Sequence, residues 1–135
     1  METTTANNVV RVYKDLDLTM AIHPVKKDVN KLVGEYAIIN SVKNLLLTSH
    51  YERPFQPELG SNIRRLLFEP LDPISASTLN TEIQNTLSNF EPRILVLSCK
   101  TSTNYQDDGF NVTLTFRLLN SIKPITIDFF LERVR

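Results

Sequence analysis

Several things that catalytic, secreted and membrane-bound chains usually carry are scarce here. The 135 residues include one cysteine, three glycines and no tryptophan. A single cysteine, Cys99, closes no internal disulfide, so the chain suits a reducing compartment. Three glycines leave no material for a glycine-rich phosphate loop. Wholly apolar runs such as Ile94–Leu97 stop at about four residues, against the roughly 18 that span a bilayer. The polar start, METTTANN, lacks the order of a signal peptide, so a soluble cytosolic product is expected. An excess of one charge is missing too: 15 basic residues face 15 acidic ones, seven and seven through Gly60 and eight and eight beyond it. Phosphate contacts need clustered Lys and Arg, and an anionic membrane needs a polybasic patch, so neither nucleic acid nor membrane is an expected partner.

What is present suffices for a core, since 41% of the residues are hydrophobic. Residues 1–8 read as a loose arm, and residues 9–135 as one domain. Val9–Tyr13 and Leu16–Ile22 show short apolar alternations that suit strands, while Asp28–Val33 is ambiguous. From Glu35 to about Ser49, Ile38, Val42, Leu45 and Leu46 recur at helical spacing. YERPFQPELG, residues 51–60, holds two prolines and a glycine and reads as an ordered loop. Ser61 is placed to cap a short helix through Glu69, with Ile63, Leu66 and Leu67 inward and Pro70 and Pro73 ending it. A second firm helix is expected over Ser75–Phe90, on the stripe Leu79, Ile83, Leu87 and Phe90, with Pro92 as its stop.

The remainder reads as β structure. Ile94–Thr101 suits a strand, and the Asp-Gly ending YQDDG signals a hairpin in which Gly109 takes positive φ. Phe110, Val112, Leu114, Phe116 and Leu118 alternate with polar residues, as do Ile125, Ile127, Phe129 and Leu131. The fold class is therefore α+β: a small antiparallel sheet, made of a C-terminal three-strand meander plus an N-terminal strand, packed against two main helices.

Chemistry is hard to find. A glycosidase would need two of Glu52, Glu58, Glu69, Asp72 and Glu91 facing each other across a sugar, and nothing in the pattern pairs them. His23 and His50 lie far apart with no ligand spacing around them, so no metal, cofactor or catalytic residue is assigned. Cys99 within a strand suits a core position. Two features of another kind remain. Glu91-Pro92-Arg93 is either a helix stop with two solvated charges or a rigid corner whose arginine fork meets a partner. The last strand, Ile125–Val134, is a candidate sheet edge able to template another chain's strand.

At these residues the sequence resembles a known family. KNLLLTSHYERPFQPELGSNIRRLLFEP followed by NFEPRI is similar to the baseplate wedge proteins of contractile phage tails, in particular the T4-type, lysozyme-like wedge subunits that initiate the tail sheath. A type VI secretion baseplate component is related. The likeness runs over residues 13–134 and is carried by Arg53-Pro54-Phe55, the Pro57-X-X-Gly60 turn, Leu67-Phe68-Glu69 and Glu91-Pro92-Arg93. The resemblance implies a fold like the strand-exchange domain of the sheath subunit, no enzymatic activity, and six copies around the tail tube. It implies other wedge proteins, the sheath subunit and the tube as partners. The location implied is the virion baseplate, assembled in the host cytoplasm. It assigns Glu91, Pro92 and Arg93 to wedge docking, and the strand of Ile125, Ile127, Phe129 and Leu131 to sheath pairing. Two alternatives stay open: a lysozyme-like peptidoglycan hydrolase, and a free regulatory binding module.

Overall fold

The computed structural model describes residues 12–17 and 19–134. The arm expected at residues 1–8 and most of the strand expected at Val9–Tyr13 lie outside them. The chain divides into two compact units, Met1–Ser41 and Val42–Arg135.

In the first unit, β1 (Lys14–Leu16) pairs antiparallel with β2 (Lys31–Val33), with Lys14 opposite Val33. The strand expected over Leu16–Ile22 is cut short. Thr19 N–H donates to the Asp17 side chain at 3.0 Å and Met20 adopts φ +53°, so the chain turns, and Ile22 keeps only an isolated bridge to Val29. A tight bend follows at Pro24–Lys27, closed by Lys27 N–H to His23 O at 2.9 Å. The ambiguous segment before Gly34 resolves as β2. The first half of helix α1 (Glu35–Leu47) buries Ala37 and Ile38, and Asn40 Nδ2 donates to Asp15 and to Leu16 O.

The second unit holds the rest of α1, whose Val42, Leu45 and Leu46 are buried as the periodicity predicts. Helix α2 (Ile63–Leu66) is a single turn, shorter than expected, that buries Ile63 and Leu66. Asn62 holds the N-cap position, while the Ser61 hydroxyl accepts a long hydrogen bond from Ile63 N–H at 3.4 Å. The same hydroxyl donates to Leu46 O at 2.7 Å, tying the segment before α2 back to α1. Helix α3 (Pro73–Phe90) buries Leu79, Ile83 and Leu87. It begins two residues earlier than predicted, because Asp72 accepts a hydrogen bond from Ser75 N–H at 2.6 Å and Pro73 occupies the first helical position. Pro73 starts this helix and does not merely end the previous segment.

Strands β3 (Ile94–Asn104), β4 (Gly109–Leu118) and β5 (Pro124–Glu132) form an antiparallel meander in that order. The alternation in β4 is realised residue by residue, with Phe110, Val112, Leu114, Phe116 and Leu118 buried on one face beside Ile94, Cys99, Ile127 and Leu131. Helix α3 runs along β3, and a cleft of about 220 Å³ lies among the ends of α1, α2 and β5, lined by Leu46, Ile63, Leu67, Leu131 and Val134. The N-terminal strand does not join this sheet; β1 pairs with β2 in a sheet of its own, so β3 and β5 are the meander's edges among the described residues.

Gly109 has a different use from the one expected. Asp108, not the glycine, takes the left-handed conformation, with φ +53°. Gly109 sits in β4 opposite Glu132, where a Cβ would collide with Leu131 O and the Phe130 ring. The constraint is close approach, not turn geometry.

Candidate functional site

The α3 stripe ends at Phe90, and Glu91 N–H still donates to Leu87 O at 2.9 Å. Pro92 cannot continue the helix, so the chain turns a corner and enters β3 at Ile94. Within that corner Arg93 Nε donates to Glu91 Oε1 at 2.5 Å and Arg93 Nη2 to Glu91 Oε2 at 2.7 Å. This is a bidentate fork on a carboxylate that is 4% exposed, while the arginine keeps 32% exposure. Arg93 O accepts from Leu119 N–H at 3.1 Å, which ties the corner to the end of β4. The Glu91 charge is withdrawn from water, the arginine is partly exposed, and the fork closes on its own motif's carboxylate. Pro92 is left exposed, and Leu95, Leu119 and Ile122 are also exposed on the strand and turn that follow the corner and on those that β4 leads into.

The residues assigned to strand pairing lie on β5. Ile127 and Leu131 point inward, and Ile125 and Phe129 are half-buried on the same face. Their side chains hold the strand on the core, so its backbone is what an edge offers to another chain. On the opposite face Thr113 Oγ1 donates to Asp128 at 2.6 Å, and Thr115 and Thr126 share a hydrogen bond at 3.1 Å. These cross-strand polar pairs fix the β4–β5 register.

Hydrogen bonds to the backbone close the loop motif. Tyr51 N–H donates to Pro57 O at 2.9 Å, Ser49 N–H to the Glu52 carboxylate at 2.9 Å, and Ser61 N–H to Thr48 O at 2.8 Å. Gly60 adopts φ +132°, and a Cβ there would lie 2.7 Å from Thr48 O. Arg53, Pro54, Phe55 and Pro57 are all exposed. This loop and the Glu91–Arg93 corner are separate features of the second unit.

The remaining polar candidates have local structural partners. His23 Nδ1 accepts from Val25 and Lys26 N–H at 3.2 and 3.3 Å, and His50 Nδ1 lies 3.1 Å from Glu58 O. Among the described residues no three His, Cys, Asp or Glu side chains gather where they could hold a metal ion. Cys99 is buried in the inner face of the sheet, and burial pushes its thiol above the usual range.

A small antiparallel meander beside a long helix, with an ion-paired corner between them, defines an α+β fold. Chains of the same fold occur in the six-fold symmetrised baseplate of the anti-feeding prophage (TM-score 0.71, 18% identity, covering 83% of this chain and 90% of that one) and in the post-contraction baseplate of pyocin R2 (TM-score 0.53, 19% identity, 88% and 99%). A putative tail lysozyme from Geobacter sulfurreducens shares it as well (TM-score 0.67, 20% identity, 73% and 89%). In sequence, residues 33–122 match the family described as baseplate wedge protein gp25. The baseplate wedge protein gp25 of enterobacteria phage T4 is 32% identical over 114 residues, covering 84% of this chain and 86% of that protein. The chain belongs to this baseplate wedge family, the structural wedge components of contractile tails.

Proposed function

We propose that the chain is built into the baseplate wedge through the Glu91–Pro92–Arg93 corner and starts the tail sheath by accepting a strand from the first sheath ring along β5. Its partners are then other wedge proteins, the sheath subunit and the neighbouring tube, with six copies per baseplate in the virion tail after assembly in the host cytoplasm. The observation that carries the docking half is the buried bidentate ion pair. It immobilises the turn, and an immobile exposed proline flanked by exposed leucines is a surface that docks with little loss of conformational freedom. The sheath half is supported by β5 being an edge whose register is held from both faces.

This reading is non-enzymatic. Glu91, one of the carboxylates a hydrolase would call on, has both oxygens on Arg93; Asp72 caps α3 and Glu52 binds Ser49 N–H.

The decisive experiment replaces this chain in assembling tails. Arg93→Lys retains a neutralising charge for Glu91 but loses the planar fork, so it should fold and yet fail to enter the wedge. Wild-type incorporation of a folded Arg93→Lys chain refutes docking through the corner. For the sheath half, single prolines go in at Ile125 and at Thr126. Successive residues of an antiparallel strand point their backbone groups to opposite sides, so one proline breaks the ladder to β4 and the other removes only an outward donor. The variant that keeps its thermal transition should enter baseplates that carry no sheath; a normal sheath on those baseplates refutes strand pairing at β5.

A further inference from the structure

Neither surface described so far uses the loop at residues 51–60, although it is the most exposed apolar feature of the second unit. Phe55 at its tip is 98% exposed, Tyr51 at its start 84%, and Phe68 just beyond α2 56%. An aromatic side chain left in water by a pliable loop would fold back; here the backbone forbids it. Tyr51 holds φ +65°, a conformation bulky residues rarely adopt, and Gly60 closes the loop against the Thr48 and Ser49 backbone with no room for a side chain. Gln56 N–H to Arg53 O at 3.2 Å and Leu59 N–H to Gln56 O at 3.1 Å stiffen the tip. Rigid, exposed aromatics of this kind are the usual anchors of protein interfaces.

Charge identifies the occupant. A cleft between the loop and α2 is lined by Tyr51, Arg64, Arg65, Phe68 and Glu82. Arg64 and Arg65 are exposed, and among the described residues neither makes a salt bridge. Glu82 lines the same cleft, where its Oε1 accepts from Asn62 N–H at 2.9 Å. The cleft therefore offers two arginine forks beside aromatic anchors. We infer that residues 51–60 and α2 form a second protein-docking surface, and that its partner is a baseplate protein presenting an apolar pocket rimmed by carboxylates. Arginine forks match carboxylates in geometry, and Phe55 supplies the apolar plug.

The inference rests on the chain's place in a baseplate but not on the corner, and the test separates the two. Photoreactive p-benzoylphenylalanine is introduced at Phe55 in one full-length chain and at Pro92 in another, and each chain complements tails that lack it. Irradiated particles should give a cross-link from position 55 to a different baseplate protein, at a stretch containing Asp or Glu. Phe55→Ser should lower incorporation at least about 30-fold, as loss of an interface hot spot does. The Arg64→Glu, Arg65→Glu double variant should lower it about 10-fold or more, with thermal transitions unchanged in both. Cross-links from position 92 but not from position 55 overturn this surface and leave the corner standing; the converse supports this surface and overturns the corner. Cross-linking of position 55 only to a second copy of the chain or to lipid overturns it, as does wild-type incorporation of Phe55→Ser.

Discussion

The Glu91–Arg93 corner and the loop at residues 51–60 solve the same problem by opposite means. Each holds an exposed apolar group still. The corner does so electrostatically, with a carboxylate withdrawn from water and gripped by two nitrogens of an arginine. The loop does so sterically, through a positive φ at Tyr51 and a glycine pressed against the backbone of Thr48 and Ser49. Charge-based rigidity is sensitive to a lost partner, whereas steric rigidity is sensitive to a single added carbon.

The largest stability loss should come from that added carbon. Gly60→Ala places a Cβ 2.7 Å from Thr48 O at φ +132° and should cost about 2–4 kcal/mol, seen as a lowered Tm and faster proteolysis within residues 51–60. Next comes Arg93→Ala. It leaves Glu91 buried without its fork, and because Arg93 is about a third exposed the loss should be about 1–3 kcal/mol, less than for a fully buried pair. Adding Glu91→Gln should recover part of that loss in a double-mutant cycle; if it recovers none, the pair does not hold the corner.

Asp72, at the far end of the helix that leads to the corner, should show a smaller, pH-dependent effect. The hydrogen bonds from Ser75 hold its carboxyl below the ordinary 3.8. A lowered carboxyl pKa adds stability above the unfolded value, and that stability disappears as pH falls through the folded value. Asp72→Asn still caps the helix, so its Tm should lie below that of wild type at neutral pH, and the deficit should shrink as pH falls below 3.8 and vanish only once pH has passed the lowered folded value. The smallest stability effect belongs to Phe55→Ser, within about 0.5 kcal/mol, since nothing packs on a side chain that is 98% exposed. A large Tm change there would mean that the loop tip is part of the core.

Strong periodicity was what made the fold readable. The β4 alternation and the Leu79–Ile83–Leu87 stripe predict burial position by position, because each residue's side depends only on its place in the repeat. Features set by one contact were harder to read. Asp72-Pro73 reads in sequence both as a proline stop and as a cap with proline at the first helical position, and the structure takes the second. The three-residue strands β1 and β2 are too short to show a period. The direction of the Arg93 fork depends on the turn angle at Pro92, which no spacing encodes. The reason for Gly109 is not local, since its neighbours across the sheet, Phe130 and Leu131, lie some twenty residues away in sequence.

That glycine bears on fidelity. The Phe130 ring occupies the space a side chain at residue 109 would fill, a diagonal neighbour across the β4–β5 ladder. If β5 slipped by two residues, preserving its inward face, the ring would move off the glycine and onto a residue with a side chain. The pair works as a key in a slot that accepts one alignment. The chain thus carries its own check against a mis-set β5.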